Sequence, residues 1–91
     1  MTDFKKFKHT TINNGVQYLK FFPNGYGVSV IKHDFSYGHE LGLWELAVLK
    51  GNLKEWDLCY DTPITAEKHD GVIGFLNEDE VNDLVDQVKA L

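Results

Sequence analysis

A chain of 91 residues, 43% of them hydrophobic, is sized for one domain around one core, and its 13% aromatic content leaves rings for an interface or a stacking site. The net charge is −5 and all nine cations are lysine, which excludes the basic stripe and guanidinium forks of a protein that grips long nucleic acid. One cysteine excludes an intramolecular disulfide, and no apolar run approaches the roughly 20 residues of a membrane helix, so an intracellular protein is expected.

Residues 1–8 carry Lys5, Lys6 and Lys8 and lack the apolar stretch of a secretory signal. Residues 1–10 read either as an extra edge strand or as a frayed arm. From Gly15 to Phe22 the chain is rich in aromatic and branched residues and predicts a strand. Pro23, Asn24, Gly25 and Gly27 then predict a turn wider than two residues. Val28–Lys32 follows as a second strand, antiparallel to the first, with Val28 and Val30 on one face.

His33 to Gly42 is the chemically loaded segment, with two histidines, two acids, Ser36, Tyr37 and two glycines. Three readings compete here with a purely structural loop. His33, Asp34, His39 and Glu40 are metal-ligand types, but their spacing fits no metal motif. Ser36 with His33 or His39 sketches part of a triad, without a nucleophile elbow to hold it. As a recognition loop, Tyr37 and Tyr26 offer stacking faces, Gly38 admits close backbone approach, and Lys32, His33 and Ser36 offer hydrogen bonds to phosphate or base edges.

Leu43–Leu49 predicts a third strand, Lys50–Asn52 a turn, and Trp56–Tyr60 a fourth strand. Trp44 and Trp56 read as core or interface, and Cys59 as packing. Pro63 takes residues 61–65 out of the sheet; either Thr62 or Asp61 satisfies backbone donors in a strand-end turn there, or Thr62 and Thr65 line the same pocket. Residues 66–71 read as a polar loop, and Val72–Phe75 as a brief strand or a turn.

The C-terminal segment carries the clearest local signal. Asn77 with Glu80 three residues later makes an Asn variant of the capping box, and Leu76 with Val81 makes the hydrophobic staple. Acids at 78–80 and Lys89 in the last turn suit the helix dipole. Val81, Leu84, Val85, Val88 and Leu91 share one helical face. The expected fold is therefore a single α+β domain over 1–91, an antiparallel sheet of about four strands with one C-terminal amphipathic helix packed on it.

The ordered strings Phe22-Pro23-Asn24-Gly25-Tyr26-Gly27, Ser36-Tyr37-Gly38, Leu43–Leu49, Tyr60–Thr65 and Val72–Leu76 resemble those of a family of small proteins encoded by tailed bacteriophages. Over about Gly15 to Leu91 the chain is similar to the anti-CBASS sponge proteins, which sequester cyclic dinucleotides such as 3′3′-cGAMP. That resemblance implies immune evasion in the cytoplasm of an infected bacterial host, no enzyme activity, no cofactor, and a homo-oligomer, a tetramer. It makes Tyr26, Lys32, His33, Ser36, Tyr37, Gly38 and Thr62 the candidate ligand-binding residues. Lys20 and Lys32 would add local positive field for two phosphates. The alternative is a phage protein that binds a host protein through an exposed aromatic surface, with no nucleotide ligand.

Overall fold

Two asparagines reverse the chain where its first hairpin forms. Asn13 and Asn14 both hold positive φ (46° and 63°), the two-residue geometry whose twist matches paired strands. They join β1 (His9–Ile12) to β2 (Gly15–Phe21). The computed structural model describes residues 2–34, 36, 38–59, 62 and 72–91. The segment 66–71 expected to be a polar loop lies outside them, as do Tyr37, Tyr60, Asp61 and residues 63–65.

Four more strands follow: β3 (Tyr26–Lys32), β4 (Trp44–Gly51), β5 (Trp56–Leu58) and β6 (Val72–Leu76). The sheet runs β1-β2-β3-β4-β5, and β6 also pairs with β4. Every pairing is antiparallel, and β4 carries β6 along its first half and β5 along its second. The expected α+β architecture with a C-terminal helix is observed, but the sheet has six strands rather than about four. The two additions are β1 and β6. β1 reads His-Thr-Thr-Ile and is mostly exposed, so it has no apolar alternation to announce it. β6 is interrupted by a bulge, which breaks its period.

The register sets the faces. Tyr18 opposes Val30, and Val30 opposes Leu46, so these side chains share one side of the sheet. On that side Val28, Val30, Leu46 and Val48 are fully buried, with Trp44 nearly so. Helix α1 (Glu78–Lys89) lies across them through Val81, Val85 and Val88. Each buried valine contributes roughly 1.5–3 kcal/mol of apolar transfer energy. The capping box forms as expected: the Asn77 Oδ1 accepts from the Glu80 N–H at 2.8 Å, and the Glu80 carboxylate accepts from the Asn77 N–H at 3.0 Å.

Neither reading of residues 1–10 anticipates their full arrangement. Asp3 caps a single 3₁₀ turn at Phe4–Lys6, accepting from the Lys5 N–H at 3.1 Å. That turn drives Phe4 into the core, where its ring is fully buried and meets Tyr18 and Trp44 edge-on, with centroids 5.3 and 4.9 Å away. The turn is tied to α1 by the Phe4 N–H donating to Asn82 Oδ1 at 2.9 Å, by the Thr2 hydroxyl donating to Asp86, and by a Lys5–Glu78 ion pair. The chain then leaves as the edge strand β1.

Among the described residues no helix is long and apolar enough to cross a membrane.

Candidate functional site

The loop between β3 and β4 is built from stacked short turns. The Ser36 hydroxyl accepts from the His33 N–H and donates back to the His33 carbonyl, both at 3.0 Å, while the Ser36 N–H reaches the same carbonyl. Ser36 is buried, and its one hydroxyl proton is committed to the backbone. A second turn follows, with His39 Nδ1 2.8 Å from the Ser36 carbonyl oxygen. A carbonyl can only accept, so Nδ1 is the donor in this contact. The 3₁₀ turn His39–Leu41 ends at Gly42, and both Gly38 and Gly42 hold positive φ.

Gly38 has a second reason to be glycine. A Cβ there would stand 3.1 Å from both the Phe75 Cα and the Leu43 Cβ. The loop is thus seated against β6 at the place where β6 bulges, between the Trp44–Leu76 and Leu46–Ile73 pairs. Phe75 occupies the bulge at φ +58°, a conformation costing a non-glycine residue roughly 1–2 kcal/mol. The residue is 59% exposed. Bulges commonly re-aim a side chain next to a functional site, and strained backbone concentrates at such places.

Ser36, Gly38, His39, Glu40, Leu41 and Phe75 line an open hollow of about 320 Å³. This is at the lower end of the volumes that hold small ligands. Leu41 and Phe75 are both largely exposed there, beside the exposed Glu40.

Of the seven residues singled out from the sequence, Ser36 and Gly38 line this hollow, and His33 supports it by closing the Ser36 turn. Lys32 lies beside them in the chain, but its ammonium sits 4.5 Å above the Trp44 ring, a cation–π contact at the edge of the core. Tyr26 begins β3 whereas Lys32 ends it. Six strand steps, about 20 Å, separate them, so one chain does not bring Tyr26 to the hollow. The Tyr26 ring packs on the core, with the Lys50 ammonium 5.7 Å from its centroid. Thr62 is buried and is not among the described lining residues. Tyr37 lies outside the described residues.

The loop's polar groups also bear on the competing chemistries. His39 meets the carbonyl of Ser36 rather than its hydroxyl, so these contacts draw no nucleophile–base pair. Among the described residues no three His, Cys, Asp or Glu side chains gather as a metal-binding group. Sequence reading missed Leu41 and Phe75, because an aromatic residue at positive φ inside a strand contradicts local propensity and leaves no signal of its own.

No family model matches this chain, and no curated protein or solved structure matches it.

Proposed function

We propose that this protein is a non-catalytic binder that sequesters a cyclic dinucleotide of the 3′3′-cGAMP class. In this reading it acts as a homo-oligomer, a tetramer, during phage immune evasion in the cytoplasm of an infected bacterial host. Two things support it: the resemblance of its ordered motifs to the sponge proteins, and the hollow beside Phe75. The single observation that carries the site is the Phe75 ring, held out at the rim by a strained backbone, next to the Ser36–Gly38 turn. A base stacked on such a ring gains roughly 1–3 kcal/mol. The sugar–phosphate ring of a 3′3′ cyclic dinucleotide is two-fold symmetric apart from its bases, so two copies of the hollow on an isologous axis would each take one half.

Calorimetric titration with 3′3′-cGAMP, followed by denaturation and mass analysis of the released nucleotide, tests the proposal. Saturable binding and recovery of unaltered ligand are expected, and Phe75→Ala should weaken affinity about tenfold. Recovery of a linearised or hydrolysed nucleotide would replace the sponge with an enzyme.

A second reading draws on the same surface. Leu41 and Phe75 are exposed together at the hollow, and such apolar groups suit a docking face for a host protein. On that reading nucleotides produce no thermal shift, and a specific host partner co-purifies and is lost in Phe75→Asp.

A further inference from the structure

The far end of the sheet holds a second hollow, of about 410 Å³, that the proposed function does not use. Phe7, Phe22 and Pro23 give it an apolar wall, and Lys6, Lys20 and Lys89 come to it from three separate elements. We propose that this hollow binds a small phosphorylated ligand carrying a planar ring.

The charge arrangement is the first argument. The chain as a whole has net charge −5, yet this hollow is lined by three lysines against one acid, Asp3. The Asp3 carboxylate is already engaged as the cap of the 3₁₀ turn. Among the described residues the ion pair of the N-terminal segment is Lys5–Glu78, and no carboxylate stands within ion-pair distance of Lys6, Lys20 or Lys89. Gathering three like charges is unfavourable without a counter-charge, and a phosphate supplies one with several acceptor oxygens.

The second argument concerns the helix end. The last carbonyls of a helix carry partial negative charge and would repel an anion placed beside Lys89. Here they are covered. The Asn24 side-chain amide donates to the carbonyls of Val88, Lys89 and Leu91 at 2.9, 3.2 and 3.1 Å. The third argument is the wall itself. Phe7 is only half-buried, and the volume falls within the usual range for small-molecule sites. Lysine ammoniums recognise phosphate as point charges, whereas the rings select for a flat apolar body.

This inference stands apart from the cyclic-dinucleotide reading, because the two hollows share no lining residue. The test is calorimetric titration of the full chain with ADP, adenosine and inorganic pyrophosphate at low ionic strength, with amide chemical-shift mapping of the ADP complex. ADP is expected to bind at one equivalent per chain, more tightly than either fragment and more weakly as salt rises. The largest shifts should fall at Lys6, Phe7, Phe21 and Phe22. Changing Lys6, Lys20 and Lys89 together to Gln should weaken ADP by at least about tenfold while Phe75→Ala leaves it unchanged. If the triple variant does not fold, Lys20→Gln alone should give a smaller loss in the same direction. ADP affinity that survives these substitutions, equal affinity for adenosine, shifts confined to 36–42, or no binding would each overturn the proposal.

Discussion

The two ends of the sheet are held in opposite ways. At the end where β2 turns into β3, hydrogen bonds link residues far apart in sequence: Asn24 to Val88, Lys89 and Leu91, and, along the same helix, Thr2 to Asp86 and Phe4 to Asn82. At the end where β3 leads into β4, the bonds described within Ser36–Leu43 reach no further than neighbouring turns, and two glycines at positive φ shape the path. One end is fastened by tertiary structure and presents lysines around an apolar wall. The other is shaped locally and presents Leu41 and a strained Phe75. The comparison teaches that exposed apolar groups need not mark a poorly built region. The β6 bulge holds Phe75 outward against the ordinary preference of its backbone.

The largest expected effect tests how far the fastened end depends on the N-terminal turn. Phe4→Ala should destabilise the protein by about 3–5 kcal/mol in denaturant unfolding, because the ring is fully buried against Tyr18 and Trp44. A loss below about 1 kcal/mol would mean that the turn rests on the core without contributing to it. Next in size, Asn24→Asp removes the donor shared by the backbone oxygens of Val88, Lys89 and Leu91 and sets a carboxylate against them. A loss of about 1–3 kcal/mol is expected, with hydrogen exchange accelerated in the last turn of α1 and unchanged in the 36–42 loop. Equal acceleration at both ends would erase the distinction between them.

Phe75→Gly probes the other end and should move stability the opposite way. Relief of roughly 1–2 kcal/mol of left-handed strain exceeds the roughly 0.5–1 kcal/mol entropic cost of glycine, so unfolding should shift up by at most about 1 kcal/mol. A clear destabilisation would show that packing of the ring outweighs its backbone strain. The smallest effect belongs to Lys5. Its hydrogen bond to Glu78 holds its pKa above the ordinary 10.5. A raised lysine pKa means that the pair's stabilisation is complete below 10.5 and disappears as pH rises through the folded value. The small difference in melting temperature between the protein and Lys5→Gln should therefore be constant through neutral pH and vanish in strong alkali. Added salt should shrink it, since both side chains are well exposed.

Much of the frame was legible because its signals are local. Asn77 and Glu80 announce the helix start, Pro23 to Gly27 announces the wide turn, and the branched residues of β3 and β4 announce central strands. What escaped depends on distance along the chain. Nothing in Asp3-Phe4-Lys5 reveals that Phe4 enters a core assembled from residues 18 to 88. The Asn13–Asn14 pair was a readable hairpin signal, hidden by the polar strand before it. At the candidate site, Ser36 and Gly38 were found by composition, yet their tasks differ from those expected. Ser36 closes a turn with its hydroxyl, and Gly38 makes room for the Phe75 backbone rather than for a ligand. Tyr26 shares an apolar-aromatic character with the loop but begins the strand that the loop follows.

The Asn24 clamp also gives the protein a chemical vulnerability. Asn24 is followed by Gly25, the neighbour that least obstructs cyclisation of an asparagine side chain onto the next backbone nitrogen. Here the carboxamide is held by the helix and the Gly25 N–H by the Phe22 carbonyl at 3.1 Å, which slows that reaction in the folded chain. A molecule that opens there and deamidates would return with an acid facing three carbonyls, and would close less well each time. Deamidation at this joint, unlike that at the exposed Asn14–Gly15 turn, would therefore loosen the end of α1.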